Sequence, residues 1–231
     1  MSKSTGKGKL EKFAELGKMP HVFENFDYDQ VLLRGANGPI DLKGKWDELV
    51  FKNGKPIILE LACGRGEYAV SLGQLFPENN YIGIDIKGNR MWTGANHALQ
   101  LGLTNVAFLR TRIELLERFF APGEVDGIWI TFPDPHLREG RAKSRLTSPR
   151  FLDLYRKFAK PSALIHHKTD EPLLHAYTMD ICKEQNLPIT EENADIYKHG
   201  KPEGPLGIKT YYEGLNISGS NTSMYLQFIL H

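Results

Sequence analysis

From Pro56 onward the chain repeats one pattern, and that pattern leaves little freedom in the fold. Short apolar runs rich in β-branched residues alternate with segments whose apolar side chains recur at helical spacing. "PIILELA" leads into "EYAVSLGQLF", which sets Tyr68, Leu72, Leu75 and Phe76 on one helical face. "NYIGIDI" leads into "NRMWTGANHALQLG", with Gly102 just past the expected helix end. "NVAFLR" precedes a short helix, "IELLERFF", and "VDGIWITF" is the fourth strand. "SPRFLDLYRKF" opens with Ser148 as N-cap and Pro149 at the first helical position. "ALIHHKT" is the fifth strand, "EPLLHAYTMDICKEQ" the helix after it, and the alternation in "TSMYLQFIL" predicts a last strand. Strands and helices in this succession dictate an α/β fold: a mostly parallel sheet with helices on both faces and a ligand at the carboxyl ends of the strands.

A chain of 231 residues, 41% hydrophobic, suits one domain spanning 21–231, preceded by a loose, basic N-terminal extension over 1–20. Net charge is only +1, so a nucleic-acid partner must be argued from local clusters. Two exist. The N-terminal stretch carries Lys3, Lys7, Lys9, Lys12 and Lys18; a second run, "TFPDPHLREGRAKSR", carries Arg138, Arg141, Lys143 and Arg145 directly after the fourth strand. Cys63 and Cys182 are far apart and lack metal-ligand spacing, so neither a disulfide nor a metal site is expected. The N-terminus has no apolar signal-like region, and no run is long enough to span a membrane. The expectation is a soluble cytoplasmic protein.

In "LELACGRGEY", Glu60 ends the first strand, and Gly64 and Gly66 make the turn into a helix, where a ligand can approach bare backbone. The dinucleotide fingerprint G-x-G-x-x-G is absent. An acid at the first position would repel a pyrophosphate and suits a ligand with a positive end, such as S-adenosylmethionine rather than NAD. Asp85 closes the second strand, where an acid hydrogen-bonds ribose hydroxyls.

These motifs, together with "FPDPH" and the basic residues after it, "KTD" after the fifth strand and "TYYE" near the C-terminus, resemble the tRNA (guanine-N7-)-methyltransferase family from about Pro56 to the end. The resemblance implies a Rossmann-like methyltransferase fold, S-adenosylmethionine held by Glu60 and Asp85, and Asp134 at the reaction centre. It implies that Arg138, Asp170, Thr210 and Glu213 meet the substrate, a guanosine in the tRNA variable loop, with the enzyme acting as monomer or homodimer. Three residues depart from the family pattern: Ala62 replaces the usual first glycine, His136 a common Trp, and Arg112 an Asp that contacts the adenine, so Arg112 would hold that end differently.

Each motif also has a purely structural reading. Asp134 between prolines suits a rigid turn; Thr169-Asp170 suits a helix cap; "TYYE" suits an edge strand or a flexible loop among Gly200, Gly204, Gly207 and Gly214. His166 and His167, one facing the core and one facing out, read as structural, and Trp92 and Trp129 as core. Two rival functions stand beside methyl transfer to guanosine N7: a related S-adenosylmethionine-dependent RNA methyltransferase with another target, and a non-catalytic RNA-binding module.

Overall fold

The computed structural model of the chain describes residues 8–214 and 222–231. The expected strands and helices are present as β4 (Ile57–Leu61), α2 (Glu67–Leu75), β5 (Asn80–Asp85), α3 (Gly88–Gln100), β6 (Val106–Arg110), β7 (Val125–Thr131), α4 (Pro149–Arg156), β8 (Ala159–Thr169), α5 (Pro172–Glu184) and β10 (Met224–Leu230). Four further strands were not read from the sequence. β1 (Val22–Glu24), β2 (Leu33–Gly35) and β3 (Gly38–Ile40) precede the alternation, and β9 (Ile189–Asn193) follows α5.

Among the described residues the sheet has ten strands in the order β3-β2-β1-β6-β5-β4-β7-β8-β10-β9. β1, β6, β5, β4, β7 and β8 run parallel, whereas β10 is antiparallel to both its neighbours. The chain steps outward from β4 through β5 to β6, then returns to place β7 on the other side of β4. Between β4 and β7 the connections therefore diverge and open a crevice at the carboxyl ends.

Successive residues of the central strands divide between two cores, as the two-residue period of a strand requires. Leu59 and Leu61, Ile82 and Ile84, Ile128 and Ile130 pack with Phe151 and Leu152 of α4 and Ile181 of α5. Tyr81, Phe108 and Trp129 pack with Tyr68 and Leu72 of α2 and Met91 and Ala95 of α3. His167 is fully buried on the face of β8 that α4 and α5 cover, whereas His166, on the opposite face, is half-buried. His166 stacks on Trp129 at 4.1 Å and pairs with the Tyr225 hydroxyl at 2.7 Å; burial holds His167 neutral, its pKa near 3.

Part of the expected loose extension is ordered structure. Lys9–Leu16 forms α1, which lies against α3 with Leu16 fully buried, and the Trp92 indole donates to Glu15 at 2.9 Å. Lys3 and Lys7 lie outside the described residues. "IELLERFF" forms a 3₁₀ helix over Ile113–Arg118 rather than an α-helix. "TYYE" is neither strand nor open loop but a single helical turn, α6 (Tyr211–Gly214). The cap of α5 is Glu171, which accepts from the Leu173 N–H, while Thr169 supports it by accepting from the Glu171 N–H; Asp170 takes no part in either bond.

Candidate active site

The turn after β4 is wound through left-handed backbone: Ala62, Gly64 and Gly66 have φ of 55°, 56° and 74°. At Gly66 a side chain is excluded twice over, since a Cβ would lie 2.6 Å from the Phe108 ring and 3.2 Å from the Gly94 Cα. Ala62 adopts this conformation with a Cβ, at a cost of about 1 kcal/mol. Strained backbone recurs across the crevice, where Phe132 and His136 have φ of 47° and 44°.

Between these turns lies a cavity of about 280 Å³, and Glu60, Gly64, Asp85, Asp134 and Thr210 all border it, with Thr131 and Glu67. Glu60 is 2% exposed. Its Oε2 accepts from the Ala69 N–H at the start of α2 (2.8 Å) and its Oε1 from the Thr131 hydroxyl (3.2 Å). Burial nevertheless pushes its pKa up to about 8, because two hydrogen bonds do not replace the water it lost. Asp85 accepts from the Gly64 N–H (2.9 Å) and the Lys87 N–H (2.8 Å), which ties the end of β5 to the turn after β4. Four acidic side chains, Glu60 among them holding its proton up to a pKa of about 8, border the cavity beside the cations of Lys87 and Arg90. That set of acceptors suits a ligand with a positive end and hydroxyls, and opposes a phosphate.

Asp134 differs from these acids in being 75% exposed on the lip of the cavity. Its Oδ1 accepts from the His136 N–H at 3.2 Å, so its turn is locally closed. Arg145 belongs to the basic run that bears on a nucleic-acid partner, but it is buried beneath this loop. It donates to the carbonyls of Pro135 (3.1 Å) and His136 (3.3 Å) and stacks 4.3 Å from the Tyr177 ring. Arg138 and Arg141 remain exposed and share a shallow hollow of about 470 Å³ with Asp134 and His136.

Arg112 precedes the 3₁₀ helix Ile113–Arg118 and borders a second cavity, about 360 Å³, that shares Ala62 and Asp85 with the first. His136 and Arg150 line it too, so all three departures from the family pattern meet around this space. Asp170 is half-buried immediately past the end of β8.

The "TYYE" motif has an internal job. Thr210 Oγ1 accepts from the Glu213 N–H (3.1 Å), and the Glu213 carboxylate accepts in return from the Thr210 N–H (3.4 Å), the reciprocal capping of a helix start. The same carboxylate accepts from the Tyr197 hydroxyl (2.5 Å) and pairs with Lys168 (3.2 Å). Glu213 is thus committed to a buried network and does not face the cavity with Thr210. Lys168 was not singled out from the sequence; its signal was a lysine inside an apolar strand pattern, "ALIHHKT", where a charge must find partners.

Comparison with known proteins agrees with this geometry. Residues 54–223 match the family described as "putative methyltransferase". A tRNA (guanine-N(7)-)-methyltransferase of Bacteroides fragilis (strain YCH46) is 49% identical over 225 residues, covering 97% of this chain and 86% of the relative. That of Christiangramia forsetii is 43% identical, covering 96% of this chain and 97% of the relative. The chain belongs to the tRNA (guanine-N(7)-)-methyltransferase family. Among solved structures, the 16S rRNA methyltransferase KamB is similar at a TM-score of 0.61 with 14% identity, covering 83% of this chain and 95% of that one. A 16S rRNA adenine-N1 methyltransferase from Catenulisporales acidiphilia, solved with S-adenosylmethionine, has a TM-score of 0.57 with 16% identity over 83% of this chain and 93% of its own. At such identity these two establish the shared Rossmann-like methyltransferase fold. Among the described residues no helix is long and apolar enough to cross a membrane, and no three His, Cys, Asp or Glu side chains are grouped to hold a metal.

Proposed function

We propose that this chain transfers the methyl group of S-adenosylmethionine to N7 of a guanosine in tRNA, in the variable loop, as a cytoplasmic monomer or homodimer that uses no metal. The observation that carries this reading is the acid-bordered cavity at the divergence of β4 and β7, with one exposed carboxylate, Asp134, on its lip. Glu60 would face the amino-acid end of the cofactor, Asp85 the ribose, and the space beside Arg112 the base, with Gly64 and Gly66 giving the approach. When bound, the cofactor supplies an electrophilic methyl on a positively charged sulfur.

Guanine N7 carries an in-plane lone pair, so the protein needs to orient and desolvate rather than abstract a proton. Positive charge develops on the imidazole side of the base, and Asp134 is placed to stabilise it. The Watson–Crick edge offers N–H donors that suit a carboxylate. With Glu213 committed to Lys168 and Tyr197, that role falls to Asp170, one strand over from the Asp134 loop. Arg138, Arg141 and Lys143 would hold phosphates flanking a nucleotide drawn out of its stack.

The test combines purified protein, methyl-labelled S-adenosylmethionine and tRNA from cells lacking N7-methylguanosine, followed by nucleoside analysis and mapping of the labelled position. Label as N7-methylguanosine in the variable loop is expected. Label on another nucleoside would favour the related RNA methyltransferase, and cofactor binding without transfer would favour the RNA-binding module.

A further inference from the structure

Lys168 is the one buried cation of β8, and neither the cofactor nor the substrate roles above use it. Its side chain is 0% exposed, although it lies one residue from the carboxyl end of the strand. Nζ donates to the carbonyls of Leu206 and Ile208, both at 3.1 Å, and to Glu213 Oε2 at 3.2 Å. Those three acceptors all belong to the segment 204–214, which also carries Thr210 on the wall of the cavity. The ammonium further lies 5.2 Å from the Phe132 ring, 5.7 Å from Tyr68 and 5.9 Å from Tyr197. On its backbone side, the Lys168 carbonyl accepts from the Phe132 N–H at 2.8 Å.

One residue therefore touches both sides of the crevice. Its backbone and the aromatic face beside its ammonium fix Phe132, two positions before Asp134 and itself in a left-handed conformation. Its ammonium fixes the segment that bears Thr210. We infer that Lys168 is a positioning residue for methyl transfer, setting the distance between the Asp134 loop and the 204–214 segment across the cavity. Other contacts dock the same segment. The Tyr68 hydroxyl donates to Pro205 O (2.6 Å) and Arg65 stacks 4.3 Å from the Tyr211 ring, both from the turn and helix that follow β4. The hydroxyls of Tyr197 and Ser223 donate to Glu213. Among the described residues, Lys168 joins the segment to the Asp134 side through its contacts with Phe132. Burial lowers the pKa of the ammonium and Glu213 opposes that shift, as expected of a charge retained in the interior by its partners.

The inference rests on the methyltransferase reading, so the assay first requires wild-type protein to bind S-adenosylhomocysteine by calorimetry and to methylate tRNA. Failure there removes the reading, not the role of Lys168. Two variants follow. Lys168→Met/Glu213→Gln removes both charges together, so that no unpaired carboxylate is left buried. Lys168→Gln keeps a donor without the charge or the reach. The expected result, in each variant that melts cooperatively, is S-adenosylhomocysteine affinity within about threefold of wild type and kcat lowered about tenfold or more. A charge-balanced double variant that recovers both thermal stability and wild-type kcat would reduce Lys168 to a structural ion pair and overturn the inference. Wild-type kcat in Lys168→Gln would overturn it equally.

Discussion

Three carboxylates at the crevice are made different by their surroundings. Glu60, buried, has a pKa of about 8 against an ordinary value of 4.5. The folded chain therefore retains a proton that the unfolded chain releases between those values, and stability is lost as pH rises through that window. Glu60→Gln keeps the acceptor for the Ala69 N–H but cannot ionise. The ligand-free variant should melt close to wild type at about pH 5 and several degrees higher at about pH 8.5; parallel pH profiles in thermal melts would show that Glu60 is not the group responsible. Asp85 is spent on holding two turns together and keeps only its remaining lone pairs for a ligand. Asp134 is exposed and bears little structural duty, so Asp134→Ala should fold, bind S-adenosylhomocysteine within about threefold of wild type, and lose about a hundredfold or more in kcat. Near-normal turnover would remove it from the reaction centre.

The loop that carries Asp134 is held from beneath by Arg145, whose neighbours in the basic run project into solvent. The residues share a charge but not a task. Arg145→Ala should lower kcat about tenfold by loosening the loop, yet leave the salt dependence of tRNA binding unchanged. A fall in the salt slope like that of an exposed arginine would return Arg145 to phosphate contact. At the other end of the chain, α1 is part of the fold through Leu16, which is fully buried against α3. Leu16→Ala should cost about 2–5 kcal/mol in chemical denaturation; a loss below about 0.5 kcal/mol would mean that the helix is only loosely held.

Across the whole molecule, a net charge of +1 conceals a segregated surface. Acids gather around the cavity while Arg138 and Arg141 stand on its outer rim, with Lys143 exposed just after them in the chain. Affinity for tRNA should fall with salt, and Arg141→Ala should reduce the slope of log affinity against log salt by about 1. An unchanged slope would place the RNA on another face. The remaining edges of the sheet are treated differently: β9 exposes Glu191 and Glu192 along its length, charges that discourage pairing with another chain.

The order of strands and helices from Ile57 to Glu184, the last strand β10, and the acids at strand ends were legible in the sequence because they depend on local period and on chain direction. A strand that alternates and a helix that repeats each declare which face they bury. The short strands β1 to β3 were not legible, since three-residue segments carry too little periodicity and form by pairing with β6 and with one another. Nor could residue type assign duty among like residues. Arg145 and Arg138 look alike in one basic run, and Glu213 looks as available as Asp170, until packing buries one of each pair and supplies its partners. Only the tertiary structure decided which charges lost their water, and that loss separates the side chains that hold the site from those left free to meet a ligand.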